Sequence, residues 1–437
     1  MHPTPEYAQR RQTFLSKLGQ GTAIVRSAGF ATMHNDVEYN FRQDSNFYYL
    51  TGFNEDDAVA VFAPHHGEHR FVLFVQKKDP EKETWTGYRV GVDAAKEEYG
   101  ADIVYPIEEL GQHLFKYVEK ADKLYYHFGE DEAFNKRIVG LFQRSIRHYE
   151  RKGTGPLCLE DISTVLAPLR LHKSEAEIGL MRKAVEIAAE AHNWAIANRQ
   201  PGLYEYELQA EMERLFRLRG GMGIAYPSIV AAGANSCILH YVENNAQMQD
   251  GELLLIDAGC CYGYYNSDIT RTYPVGNKFT EEQRILYELV LKAQLAAIEQ
   301  IKPEAPWNGF HDAAVGVIVD GLMELGLLAG DRAEIIKEEK YKPFFMHGTG
   351  HWLGLDVHDV GARKTGETWH NFAPGQVITA EPGIYIRPDF KPFEGQPEVD
   401  ARWRGIGIRI EDDVLVTPSG NEVLTVAVPK VVEAMER

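Results

Sequence analysis

The stretch ELLLIDAGCCYGYYNSDITRT, residues 252–272, decides how the larger part of this chain folds. Its alternation puts Leu253, Leu255 and Asp257 on one face of a strand and Asp268, Thr270 and Thr272 on one face of the next. With GCCYGYYN (259–266) as the intervening turn, the two strands read as a hairpin that brings both aspartates together. An aspartate that ends an apolar strand is most often a turn or cap residue. Two of them converging in apolar frames ask for more, because unpaired buried carboxylates are strongly penalised.

Three further candidates stand downstream: His351 in HGTGHWLGLDVHD (347–359), Glu381 in TAEPGIY (379–385) and Glu411 in GIRIEDD (407–413). Taken singly, each has a bland reading. A glutamate before Pro-Gly is usually solvated, a glutamate in an acidic triplet is usually an exposed tip, and a lone histidine usually satisfies a backbone carbonyl. Jointly, in glycine-bracketed apolar frames, four carboxylates and an imidazole are too much charge to bury without cations. Two divalent ions resolve the conflict, and paired ions about 3.5–4 Å apart can share a hydroxide that attacks a carbonyl or phosphoryl centre. An oxygen-rich set with one imidazole suits Mn(II), Co(II) or Fe(II), whereas zinc favours more nitrogen or sulfur, although affinity order alone does not exclude it. In GIGIRIE (405–411) the isoleucines alternate with Arg409 and Glu411, so the guanidinium faces the same way as the carboxylate and helps keep such ligands ionised.

Outward from these words the elements are α+β. Ser174 with Glu177 and Thr280 with Gln283 are capping boxes that open long amphipathic helices. Another helix runs through YEYELQAEMERLFRLR (204–219) until Gly220 and Gly221 stop it. The strand-like segments ELLLID, YGYYNSD, QVITA, GIGIRIE and DVLVT lie between and after them, giving helices on a mostly antiparallel sheet. Before residue 170, short apolar runs such as AVAVFA (58–63), RFVLFV (70–75) and KLYYHF (123–128) alternate with helical stretches, the pattern of a smaller α/β domain. No glycine loop that would cradle a phosphate is found.

The size of 437 residues favours two domains, and the formal charge of −18 argues against nucleic acid or an anionic membrane as partner. The N-terminal residues lack an apolar h-region, and no run approaches the roughly 18 apolar residues of a membrane span. Cys158, Cys237, Cys260 and Cys261 lack metal-ligand spacing and read as buried free thiols of a cytoplasmic protein.

The order Asp257, Asp268, His351, Glu381, Glu411, with these flanking words, resembles the pita-bread metallopeptidases, the group of methionine aminopeptidase, prolidase, creatinase and aminopeptidase P. HGTGHWLGLDVHD is the most specific of the words. Within the group the chain is most similar to bacterial aminopeptidase P, since RQDSNFYYLTGF (42–53) and KKDPEKETWTGYRVG (77–91) resemble that family's N-terminal domain and RLHKSEAEI (170–178) its inter-domain join. The resemblance implies an α/β domain over 1–172 and a pita-bread catalytic domain over 173–437, with helices on a curved, mostly antiparallel sheet.

It further implies two metal ions, commonly manganese. Asp257 would bind one through both oxygens, Asp268 and Glu411 would bridge, and His351 with Glu381 would complete the other site. The implied reaction is release of an N-terminal residue ahead of proline, with a shared hydroxide as nucleophile and Glu381 taking and returning a proton. His358 would contact the scissile carbonyl and His240 would lie near the substrate's proline. His347 would line the pocket, and Tyr385 and Arg409 would orient ligands and substrate. Trp85 resembles a tryptophan that reaches a neighbouring subunit's site, which implies a tetramer, and more broadly the chain is expected to be a homo-oligomer, dimer or tetramer. A prolidase restricted to dipeptides, a creatinase-like hydrolase and a non-catalytic binding protein are the alternatives. Intact ligands count against the last two. The segment KPFEGQPEVDARWRG (391–405) is longer than the family's connection and reads as a surface loop.

Overall fold

The structure is a computed structural model and describes residues 5–129 and 131–436. The chain divides into two compact units, Met1–Arg170 and Leu171–Arg437. The first is built on a six-stranded sheet whose order is Ile103–Pro106, Phe71–Val75, Val59–Phe62, Thr22–Arg26, Leu124–Tyr125, Leu159–Glu160. Val59–Phe62 runs antiparallel to both of its neighbours, and the remaining pairings are parallel. KLYYHF contributes only the two-residue strand Leu124–Tyr125, so that run is shorter than its apolar pattern suggests. The helix Glu132–Lys152 starts at the Asp131 cap and buries Phe134, Ile138 and Leu141 at helical spacing.

In the second unit every strand pairing among the described residues is antiparallel. Both capping boxes form. Ser174 and Glu177 open Glu175–Asn198, and Thr280 and Gln283 open Glu281–Gln300. Glu205–Leu218 and Asn308–Glu324 complete the set of long helices. Their apolar faces and the inner faces of the strands share one continuous core that includes Ile187, Phe216, Leu254, Ile256, Ile318 and Ile408.

The connection between the two aspartates is not a simple turn. Leu253–Asp257 pairs with Thr270–Pro274 in the register Asp257 opposite Thr270, but Cys260–Tyr262 and Tyr265–Asn266 form a second, smaller hairpin between them. Gly263 and Tyr264 both take positive φ, 56° and 73°, the backbone that a tight two-residue hairpin turn requires. Asp268 therefore lies after this insert and just ahead of its strand. Cys237, Cys260 and Cys261 are buried and unpaired, but Cys158 is exposed, contrary to expectation. In 391–405, Val399 and Trp403 are buried while most of the other residues face solvent, and the Gln396 side chain bonds the backbone of Ala329 in both directions. No helix among the described residues is long and apolar enough to cross a membrane.

Candidate metal centre

Asp257 ends its strand and Asp268 precedes the partner strand, so the register sets the two carboxylates side by side. Glu381 follows the strand Val377–Ala380, and Glu411 falls between Ile406–Arg409 and Asp412–Thr417. His351 reaches the same place because its loop lies against Val377–Ala380. The Thr379 amide donates to the His351 carbonyl, and the Glu381 amide donates to that of Thr349. Gly350 makes this approach possible: a Cβ there would sit 2.0 Å from the Thr379 carbonyl oxygen. The far end of the loop is fixed by a buried ion pair between Lys173 and Asp359, 3.0 Å apart.

The structure thus brings together all five ligand candidates. Asp268, His351 and Glu411 offer ligand atoms that lie within 4.8 Å of one another. His351 Nε2 stands 3.4 Å from Asp268 Oδ2 and 3.6 Å from Glu381 Oε1, while its Nδ1 is 3.0 Å from the Trp352 carbonyl oxygen. Donation from Nδ1 to that carbonyl leaves Nε2 as the nitrogen that could bind a cation. Arg409 donates to Asp257 Oδ2 at 2.6 Å, to the Thr270 hydroxyl at 3.2 Å and to the Tyr385 hydroxyl at 3.1 Å. Thr270 in turn donates to Glu411 Oε2 at 2.6 Å, so the guanidinium supports one carboxylate directly and a second through a hydroxyl.

Without a cation the cluster is electrostatically frustrated. Burial raises Glu411 well above the ordinary carboxylate range, and the neighbouring Asp268, Glu381 and Asp257 add to it. Burial also raises Asp257, against the pull of Arg409, and lifts Glu381 to about 7. His351 is held up at about 9: burial lowers it, but contacts with Asp268 and Glu381 outweigh that. Asp268 stays below its usual value because the same histidine contact overcomes its burial. Four carboxylates that cannot all ionise around one arginine and one imidazole fit divalent cations, whose charge would let every one of them ionise.

The remaining predicted residues divide. His358 is exposed, has no hydrogen-bond partner among the described residues, and meets the His351 ring edge-on at 4.3 Å between centroids. His240 is likewise exposed and close enough to His347 and His358 to lower both. His347 is already committed: Nδ1 lies 2.7 Å from the Gly348 carbonyl oxygen and Nε2 lies 2.8 Å from the Tyr385 hydroxyl. Burial and then Arg409 push it down to about 3, so it is neutral, with Nδ1–H donating to the carbonyl and Tyr385 donating to Nε2. Tyr385 is fully buried and faces Arg409. Trp85, in the first unit, is 84% exposed.

Several participants were not predicted. Tyr226 places its hydroxyl 2.6 Å from Asp257 Oδ1 and 2.5 Å from Asp268 Oδ1, tying the two carboxylates together. Asp413 accepts the Asp268 amide at 3.1 Å, and His311 Nδ1 lies 2.8 Å from the Thr349 hydroxyl. Tyr226 sits in AYPS with no periodicity to mark it. Asp413, by contrast, is visible as the last residue of the acidic triplet.

Small antiparallel sheets packed with long helices around a buried, carboxylate-rich centre of this ligand order define a metal-dependent peptidase, and the chain belongs to metallopeptidase family M24, which it matches over residues 179–418. Residues 7–126 match the aminopeptidase P N-terminal domain, which places the chain with the bacterial aminopeptidases P. It is 41% identical to the Xaa-Pro aminopeptidase of Escherichia coli strain K12, covering 99% of this chain and 96% of that protein. Among solved structures it is similar to the aminopeptidase PepP of Pseudomonas aeruginosa, with a TM-score of 0.93 and 46% identity over 99% of this chain and 97% of the other. It is also similar to zinc-substituted Escherichia coli aminopeptidase P in complex with product, with a TM-score of 0.92 and 40% identity over 100% and 98% of the two chains.

Proposed function

We propose that this chain is an aminopeptidase that uses two divalent ions, most naturally Mn(II), to release the N-terminal residue of peptides with proline in second position. The observation that carries the reading is the convergence of Asp257, Asp268, His351, Glu381 and Glu411 from separate segments on one buried centre, in a chain whose relatives are named Xaa-Pro aminopeptidases. Asp257 would hold one ion, His351 and Glu381 the other, and Asp268 and Glu411 would serve both. Bound ions supply Lewis acidity and activate water at neutral pH.

The chain's own groups do the rest. Glu381, at the end of its strand and beside His351 in the centre, is placed to take a proton and return it to the leaving nitrogen. His358 and His240 present free rings for the scissile carbonyl and the proline-side residue. Neutral His347, locked by Tyr385, closes the pocket without adding charge. Exposed Trp85 and Tyr88 support a dimer or tetramer in which the tryptophan meets a neighbouring copy, and buried free thiols suit a reducing cytoplasm. We take 1–172 and 173–437 as the functional division of the chain.

The test is to strip the protein with chelator, restore Mn(II), and assay Xaa-Pro dipeptides beside Xaa-Pro-Xaa tripeptides. Metal-dependent release of the first residue from the tripeptide is expected. Cleavage confined to dipeptides would make the enzyme a prolidase, and no metal-dependent release from either would end the reading.

A further inference from the structure

His240 owes its position to a loop rather than to a strand or helix, and that loop is gathered around one buried carboxylate. Glu205, the first residue of the helix Glu205–Leu218, has no exposed surface. Its Oε1 accepts the Ala232 amide at 2.7 Å and the Asn235 side-chain amide at 3.2 Å. Its Oε2 accepts the Tyr241 hydroxyl at 2.8 Å and the Ala246 amide at 2.8 Å. A carboxylate has about four acceptor sites, and here all four are filled by neutral donors. The donors come from both ends of the loop and from the residue next to His240. Tyr241 is buried while His240 is exposed, so fixing the phenol underneath fixes the imidazole above it.

Glu205 makes no contact with the ligand cluster. Its hydrogen bonds serve the loop instead, and an amide is a poor replacement, since in either orientation a glutamine would turn its NH2 on the backbone N–H of Ala232 or of Ala246, neither of which can accept. From this arrangement we propose that Glu205 is a positioning residue for His240, setting the grip of the site on the proline side of the substrate. The inference rests on His240 being a substrate contact.

The test uses the full-length, Mn(II)-restored enzyme and an Xaa-Pro-Xaa tripeptide with Glu205→Gln, His240→Ala and the double variant. Glu205→Gln is expected to raise KM roughly ten- to a hundredfold with little change in kcat, because misplacing a binding group costs on that scale. Its Mn(II) affinity should match that of the parent. In the His240→Ala background the same substitution should add less than about a twofold further loss in kcat/KM, as two residues acting through one contact are not additive. Losses that multiply in full would overturn the proposal and leave His240 as a contact. A His240→Ala variant with unchanged kcat/KM would overturn both the proposal and the role of His240, while metal-dependent release in that variant would still uphold the peptidase reading. Should Glu205→Gln not fold, Tyr241→Phe, which removes one of the four donors, should raise KM in the same direction by a smaller factor. An unshifted KM in that variant would also overturn the proposal.

Discussion

The phenolic oxygen of Tyr226 lies 2.5 Å from Oδ1 of Asp268. The same hydroxyl is 2.6 Å from Asp257, and having one proton it can donate to only one of the two carboxylates at a time. Burial, then the two aspartates, hold that proton on the phenol well above the usual range. The hydroxyl therefore acts as a fixed neutral spacer between two candidate ligands. Tyr226→Phe keeps the ring and deletes the spacer. Loss of such an outer partner typically weakens metal binding about 10–100-fold, and competition with a chelator of known Mn(II) affinity should show it. Unchanged affinity would mean that strand register alone sets the aspartate spacing.

Glu381→Gln separates binding from proton transfer. The amide can still offer one oxygen to a cation but cannot take a proton at neutral pH. Loss of a general acid–base group lowers kcat by about 10²–10⁴-fold. The expected result is a protein that still binds Mn(II), measured by metal analysis after gel filtration, with most of its turnover gone. Near-normal kcat would assign the proton transfer elsewhere, His358 being the next candidate by position.

Arg409→Met tests how the centre balances charge. The guanidinium is buried and serves Asp257, Thr270 and Tyr385. Removing one member of a buried pair costs roughly 3–5 kcal/mol because the other charge is stranded. In the metal-free protein the variant should lose stability on that scale. Mn(II) should return part of the loss, since the cation offsets the stranded carboxylate. Equal loss with and without Mn(II), read from denaturant midpoints, would show that the arginine's work is packing rather than charge.

How much of this was legible in the sequence depended on period. Asp257, Thr270 and Arg409 lie on regular strands, where alternation states the face, and Ser174 and Thr280 announce their helices by the residue three positions on. Asp268 was harder to place, because the hairpin of Cys260–Asn266 lies between it and Asp257 and only the turn at Gly263 and Tyr264 marks it. Tyr226 could not be read at all, as it comes from a non-periodic stretch 31 residues from one aspartate and 42 from the other. His347 shows the converse limit. The word HGTGH draws it to the pocket, but whether its nitrogens are free depends on Tyr385, which lies 38 residues away.

A buried histidine outside the ligand set yields a stability prediction. His192, in the helix Glu175–Asn198, is fully buried, with Nε2 2.9 Å from the Ala258 carbonyl oxygen and Nδ1 without a partner. Burial pushes it down to about 4, only partly opposed by that carbonyl. The unfolded chain protonates near an ordinary value of about 6.5, so between there and about 4 the unfolded state binds the extra proton. Stability should therefore fall as pH drops through that window, by roughly 3 kcal/mol at its lower end at one pKa unit per about 1.4 kcal/mol. Above it His192 contributes no slope. His192→Gln keeps a donor for the Ala258 carbonyl but cannot titrate. Urea midpoints of both chelated proteins at pH 7.5 and 4.5 should show a smaller acid loss in the variant, and comparing the two at each pH cancels the opposite contribution of His351, whose raised value favours the fold at low pH. Parallel loss in both proteins would place the acid sensitivity elsewhere, with His347, which burial likewise pushes down to about 3, the first candidate. Asp412 does not enter this window: Arg271 and Lys430 hold that carboxylate low against its burial, so its share of the stability is lost only as pH falls below the ordinary aspartate range.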